Sequence, residues 1–140
     1  TSRGLGDVYK RQGHDTANKL YILARTIGGK SGSYLETIVT GIEKITAADL
    51  STARARGNTI RLVATGIREN DKPWSLSVMP EEIPEHSFLG GCRGWEMGLE
   101  IESDLYERVS LKNYEADPLG TSAAVLRDLI NLSAEIHHLD

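Results

Sequence analysis

The sequence predicts an α+β domain, with helices packed on one face of a mostly antiparallel or mixed sheet. Three observations lead to this class. Apolar residues repeat at helical spacing near the start of the chain, alternate with polar residues through its middle, and return to helical spacing near its end. The predicted order is therefore two helices, several strands and a closing helix.

The first helix is predicted over residues 15–27, and Gly28 and Gly29 end it. A short extended segment is expected at 36–39. Thr46 is placed to cap a second helix, with Asp49 as the reciprocal member of a capping box and Gly57 as its stop. The apolar stripe of the first helix consists of Ala17, Leu20, Tyr21, Ala24 and Ile27.

The alternating segments predict two antiparallel pairs. Residues 59–65 and 74–78 are expected to form a hairpin, and the segments 79–80 and 82–84, which contain Pro80 and Pro84, to be extended rims where strands end. The second pair is predicted at 95–102 and 105–112. Residues 95–102 are apolar on one side and acidic on the other, which suits a sheet with one packed face.

The closing helix is predicted to begin at Thr121, after a break at residues 117–120. The same periodicity gives the helix an inner and an outer side. We expect Val125, Leu129 and Ile136 to be buried, and Arg127, Asn131 and Glu135 to face outward.

Composition restricts the function. The chain has 140 residues and a net charge of −4 without a basic stripe, which argues against a nucleic-acid partner. One cysteine, Cys92, rules out an internal disulfide and suits a reducing compartment. No apolar run approaches the roughly 20 residues needed to cross a bilayer. The four histidines lack metal-ligand spacing, so we expect no metal site. Together with the single cysteine and the absence of a long apolar run, this favours a cytoplasmic domain without a membrane partner.

The pair Asp15 and Lys19 is the main candidate for chemistry, because residues four apart share one face of a helix. A lysine at the edge of a buried helix can lose its proton more easily than a solvated one and act as a proton shuttle. The alternative is an ordinary surface pair, worth a few tenths of a kcal/mol.

A resemblance favours the first interpretation. The segment Gly13-His14-Asp15-Thr16-Ala17-Asn18-Lys19-Leu20 resembles the start of a helix in the catalytic domain of homoserine dehydrogenases. The likeness continues to about Ser133 in the family's order, and its motifs are Thr40-Gly41-Ile42-Glu43-Lys44-Ile45, Asp49, Arg61-Leu62-Val63-Ala64, Val78-Met79-Pro80, Glu85-His86-Ser87-Phe88-Leu89 and Thr121-Ser122-Ala123-Ala124-Val125-Leu126-Arg127-Asp128-Leu129.

The resemblance implies an NAD- or NADP-dependent oxidoreductase that interconverts L-aspartate 4-semialdehyde and L-homoserine in amino-acid biosynthesis. It implies that Lys19 is catalytic, that Asp15 binds the amino-acid substrate, and that Glu115, Ala116 and Thr121 contact the cofactor. It also implies a homodimer. The family's glycine-rich loop before the closing helix is altered here, since most of its glycines are replaced in residues 114–120.

Residues 1–12 do not fit this pattern, because residues 7–12 look like a translated sequencing-adaptor tail. We expect 1–12 to be non-native and 13–140 to be the catalytic, substrate-binding and dimer-forming domain. The segment 13–140 contains no G-x-G-x-x-G motif, so we expect the dinucleotide-binding domain to lie upstream and this fragment alone to be inactive.

Two alternatives stay open from the sequence. The altered loop permits a related oxidoreductase that acts on another small substrate. The other alternative is an α+β dimerisation or small-molecule-binding module without catalysis, in which residues 1–12 are genuine and Lys19 matters only for stability.

Overall fold

The computed structural model describes residues 8–28, 32–70, 72–114, 116–117 and 119–137. The chain divides into two compact units, Thr1–Gly90 and Gly91–Asp140. The first unit contains α1 (His14–Ile27), a 3-10 turn (Tyr34–Glu36), β1 (Ile38–Val39), α2 (Ala47–Ala55), β2 (Asn58–Ile67) and β3 (Ser75–Pro84). The second contains β4 (Glu96–Ser103), β5 (Glu107–Tyr114) and α3 (Leu119–His137). The α+β class is confirmed, with the strands divided between two sheets, β1-β3-β2 and β4-β5.

Helix α1 begins where the chain comes very close to the first sheet. Its N-cap is Gly13 in the left-handed region, with φ of 85°. A Cβ there would lie 3.2 Å from Val39 Cγ1 and 3.3 Å from Val78 Cγ1. Glycine therefore satisfies both the backbone angle and the packing at this position. Of the predicted apolar stripe, Ala17 and Ala24 are buried, whereas Ile27 in the last turn is 49% exposed.

Helix α2 has the predicted cap. Thr46 Oγ1 accepts from the Asp49 backbone N–H at 3.2 Å, and the Asp49 carboxylate accepts from the Thr46 backbone N–H at 2.8 Å. These two bonds satisfy donors that the helix itself leaves unpaired. The hydrogen bonds from Thr46 lower the pKa of Asp49.

The hairpin β2–β3 is confirmed, but β3 is longer than predicted. It runs through Pro84, which pairs with Asn58, and Pro80 pairs with Leu62. The expectation that the strand ends near Val78 is therefore wrong. Strand β1 lies on the other side of β3 and pairs in parallel at Ser77 and Val78.

The position of β1 explains how two prolines fit inside β3. The Val78 carbonyl accepts from Thr40 N–H at 2.7 Å, so the polar backbone groups of Val78 point toward β1. Pro80 and Pro84 lie an even number of residues after Val78, and alternate residues of a strand direct their backbone groups to the same side. The backbone nitrogens of both prolines, which carry no hydrogen, therefore also face away from β2. The register of β1 ends at Val78, and the prolines remove no bond to β2.

In the second unit, β4 and β5 form the predicted antiparallel pair. Acidic side chains of β4 meet partners across the ladder. Glu102 accepts from Arg108 Nε at 3.0 Å, and Lys112 Nζ lies 3.2 Å from Glu96. The pKa of Glu96 is lowered by the Arg93 backbone N–H and by Lys112. The acidic side of β4 is therefore a cross-strand network of opposite charges.

Helix α3 begins at Leu119, two residues before the predicted start, where Asp117 Oδ1 accepts from the Leu119 N–H at 2.9 Å. The predicted burial of Val125 and Leu129 is wrong, because they are 55% and 58% exposed. Their spacing marks the apolar side of the helix correctly, but nothing described in this chain covers that side. The side chains of Glu135 and Ile136 lie outside the described residues.

Residues 8–11 are also helical and contact the rest of the first unit. The Ile42 N–H donates to the Arg11 carbonyl at 2.9 Å. The Tyr9 hydroxyl accepts from Asn18 Nδ2 at 2.6 Å, and its ring stacks on His14 with centroids 5.5 Å apart. The expectation that residues 1–12 are non-native stays a prediction.

Candidate functional site

The two residues singled out for chemistry lie together on the first helix. Lys19 Nζ is 3.2 Å from Asp15 Oδ2, and the two side chains are 63% and 36% exposed. Asp15 lies in the first turn of α1, where the partial positive charge of the helix N-terminus favours a carboxylate. An exposed pair of this kind contributes little to stability.

The pair is open to a ligand. A carboxylate that is one-third exposed can accept from an ammonium group, and the neighbouring lysine can donate to an oxygen atom of the same small molecule. The two side chains can bind the ammonium group and the oxygen atom of one small molecule only if they lie close together. Their 3.2 Å separation meets this requirement.

The residues expected at the cofactor lie in the second unit. A surface depression of about 500 Å³ is formed where β5 ends and α3 begins. Ala116 and Thr121 both line it, whereas Glu115 lies outside the described residues. The lining residues are Asn113, Tyr114, Ala116, Asp117, Gly120, Thr121 and Ala124.

Five residues that line this depression were not predicted from the sequence as cofactor contacts. They are Asn113, Tyr114, Asp117, Gly120 and Ala124. Asp117 carried a local signal, since an aspartate side chain commonly accepts a hydrogen bond from the backbone N–H two residues later, as it does here from Leu119. No comparable signal marked Asn113, whose place on the rim depends on the register of β5 with β4.

Other kinds of site find no support in the described residues. Within them, no group of three or more histidine, cysteine, aspartate or glutamate side chains could hold a metal ion. The same residues contain no helix with the length and apolar character needed to cross a membrane. Cys92 is buried.

Comparison with known proteins gives a consistent result. The family model described as homoserine dehydrogenase matches residues 9–130. That match begins inside the segment expected to be non-native. A homoserine dehydrogenase of Methanocaldococcus jannaschii is 35% identical over 121 residues, which are 86% of this chain and 34% of the relative.

Solved structures agree. A putative homoserine dehydrogenase from Archaeoglobus fulgidus is 35% identical with a TM-score of 0.74, covering 89% of this chain and 37% of its own. The S. aureus homoserine dehydrogenase is 25% identical with a TM-score of 0.78, covering 92% of this chain and 32% of its own. The chain thus spans about a third of the length of the proteins it matches.

Proposed function

Because this chain belongs to the homoserine dehydrogenase family, we propose that it is the catalytic and dimer-forming part of an enzyme that interconverts L-aspartate 4-semialdehyde and L-homoserine. The observation that carries the proposal is the 3.2 Å pair of Asp15 and Lys19 at the start of α1, within the segment that the family model matches. The reaction is a hydride transfer to or from an aldehyde carbon.

Lys19 has the charge that this reaction needs. When hydride adds to an aldehyde, negative charge develops on the aldehyde oxygen, and a cationic proton donor beside that oxygen lowers the barrier. In the reverse direction, the same group accepts the hydroxyl proton of the alcohol. We assign both roles to the Lys19 side chain, which donates as the ammonium and accepts as the neutral amine, and which reaches outward from α1.

Asp15 is proposed to bind the substrate ammonium. A charge-assisted hydrogen bond from that ammonium to the carboxylate would compete with Lys19 for Asp15. Substrate binding then turns the Lys19 ammonium from Asp15 toward the reacting oxygen. This exchange explains why an exposed pair, weak in the free protein, is useful in catalysis.

The nicotinamide cofactor, NAD or NADP, supplies or accepts the hydride when it is bound. The depression at Ala116 and Thr121 has a volume of about 500 Å³, within the usual range of small-molecule sites. The Asp117 carboxylate on its rim repels a phosphate. We therefore propose that Glu115, Ala116 and Thr121 contact the nicotinamide end, and that an upstream dinucleotide-binding domain holds the phosphates.

The parent protein is further proposed to be a cytoplasmic homodimer in the pathway to threonine and methionine. Two surfaces of the second unit support the dimer. Leu111 of β5 is 54% exposed, and Leu126 and Leu129 of α3 are 60% and 58% exposed. Leu126 and Leu129 lie one helical turn apart on α3, and an exposed apolar helix face of this kind favours a protein interface.

The proposal is tested in the full-length parent, obtained by sequencing the source DNA upstream of the Gly13 codon. We expect an open frame that encodes a strand and a G-x-G-x-x-G turn. The Lys19→Ala variant should fold normally and lose roughly a hundredfold or more in kcat with L-homoserine, as expected for a lost acid–base group.

The matched control is Lys72→Ala, which also removes a lysine from a short-range ion pair, since Lys72 lies 3.0 Å from Glu69. Near-normal turnover by Lys19→Ala would overturn the proposal. Turnover by the parent of another small alcohol but not of L-homoserine would instead favour the related oxidoreductase. A start codon that includes residues 1–12 would favour the binding module without catalysis.

A further inference from the structure

The end of the β2–β3 hairpin holds the far end of the helix that carries Lys19. We infer that Arg68 and Trp74 are positioning residues that fix the place of α1 along this hairpin, and with it the place of Lys19. The inference rests on the proposed function of Lys19. Neither residue is assigned a contact with substrate.

The evidence begins at the C-cap of α1. The Gly28 carbonyl accepts two side-chain hydrogen bonds, from Trp74 Nε1 at 3.0 Å and from Arg68 Nη1 at 2.9 Å. Carbonyl groups at the end of a helix lack intrahelical partners and carry partial negative charge. A cation and an aromatic N–H therefore complete the end of α1 from a separate element.

The two donors also hold each other. The Arg68 guanidinium lies 5.3 Å from the centroid of the Trp74 ring, within the range of a cation–π contact. Arg68 follows β2 and Trp74 precedes β3, so one contact joins both sides of the hairpin end. The position of the Gly28 carbonyl is thus defined by two strands at once.

A second contact, between Leu20 of α1 and Gly66 of β2, holds the helix at a point nearer to Lys19. A Cβ on Gly66 of β2 would lie 3.5 Å from Leu20 Cδ1 and 3.4 Å from Trp74 Cε3. Leu20 directly follows Lys19, and the Trp74 ring occupies the same small space. Sliding α1 along the hairpin would therefore break both the hydrogen bond from Trp74 to Gly28 and the packing of the Trp74 ring.

The opposite end of α1 is held differently. Its N-cap, Gly13, has no side chain to cap the helix; the Gly13 N–H donates to the Lys10 carbonyl at 3.1 Å, and the backbone packs against Val39 and Val78. Lys19 lies nine residues before Gly28, about 13 Å along a helix that rises 1.5 Å per residue. Arg68 and Trp74 therefore act on the reaction through the helix.

The experiment uses the full-length parent and L-homoserine as the substrate. Trp74→Phe keeps the ring and removes its N–H, whereas Arg68→Met removes the guanidinium and keeps a long apolar side chain. We expect each variant to lower kcat by roughly tenfold to a hundredfold, because a displacement of about 1 Å at a reacting group costs as much as a hundredfold. Arg68→Lys should recover part of the rate, and Lys72→Met, in the same turn, should leave kcat unchanged.

A double-mutant cycle separates positioning from general loss of structure. In a Lys19→Ala background, measured at high enzyme concentration, Trp74→Phe and Arg68→Met should have no further effect on kcat. Equal losses in both backgrounds, or losses no larger than for Lys72→Met, would overturn the inference. If Trp74→Phe does not fold, the effect of Arg68→Met on kcat in the two backgrounds tests the inference, because Arg68 is exposed. Normal kcat for Lys19→Ala would instead refute the proposed function.

Discussion

Leu20 of α1 packs over the bare backbone of Gly66 in β2. A Cβ at Gly66 would stand 3.5 Å from Leu20 Cδ1 and 3.3 Å from Leu76 Cδ2. A glycine inside a strand weakens the strand, so its presence here reflects the close approach of the helix. The pair sets how near the helix that carries Lys19 comes to the sheet.

This contact predicts a graded response at position 66. Gly66→Val should destabilise the chain by about 1–3 kcal/mol, because the added methyl groups overpack a filled space. Gly66→Ala should cost less, since its single methyl requires only a small movement of Leu76 and makes ordinary contacts with Trp74 and Leu20. Urea unfolding followed by circular dichroism measures both. Equal stability of the valine variant and the unmodified chain would contradict the packing described.

The capping box of α2 predicts a second result. Thr46→Ala should lower the free energy of unfolding by about 1 kcal/mol, since the Asp49 N–H loses its side-chain acceptor. The matched control is Thr52→Ala in the same helix. Thr52 Oγ1 only donates to the Ala48 carbonyl, so its loss should be neutral or slightly stabilising. Similar losses in both variants would show that the cap contributes nothing specific.

The charge cluster around Glu82 predicts a dependence of stability on pH. Asn58 Nδ2 donates to Glu82 at 2.7 Å, and Arg56 Nε donates at 2.9 Å. The hydrogen bond from Asn58, followed by that from Arg56, lowers the pKa of Glu82. A carboxyl group with a lowered pKa in the folded state stabilises the fold above its unfolded pKa, about 4.3, and loses that contribution as the pH falls through its folded pKa.

Glu82→Gln should therefore be less stable than the unmodified chain at pH 7, and the difference should shrink as the pH falls below about 4.3. Unfolding in urea across this range provides the measurement. Glu81→Gln makes the same change on the other face of β3 and serves as the control. A difference that stays constant down to low pH, or that appears equally in the control, would refute the role of Glu82.

Local patterns predicted much of this fold, because they act over a few residues. The spacing of Ala17 and Ala24 indicated the buried side of α1, and Thr46 with Asp49 indicated where α2 begins. In each case the residues that form the sequence pattern also form the buried side or the cap of the helix. The prediction therefore required no information about residues far away in the sequence. The Asp15–Lys19 pair was accessible in the same way, through its helical spacing.

Features that depend on distant partners were not predictable. Pro80 and Pro84 look like strand breakers until the short pairing of β1 shows that their missing N–H groups face away from β2. Trp74 and Arg68 gave no local sign of holding Gly28, since 40 or more positions separate them from it. Periodicity identified the apolar side of α3 but not whether this chain covers it.

The apolar side of α3 leads to the last prediction, which concerns the proposed homodimer. Leu129 is 58% exposed, and Val125 and Leu126 of the same helix are similarly exposed. If α3 lies at the dimer interface of the full-length parent, Leu129→Lys places a charge in a desolvated apolar contact and should raise the dimer Kd by about tenfold or more. Asn131→Lys adds the same charge to the same helix at a position expected to face outward, and should leave the dimer intact. Sedimentation velocity over a range of concentrations distinguishes the two variants, and an unchanged Kd for Leu129→Lys would exclude this side of α3 from the interface.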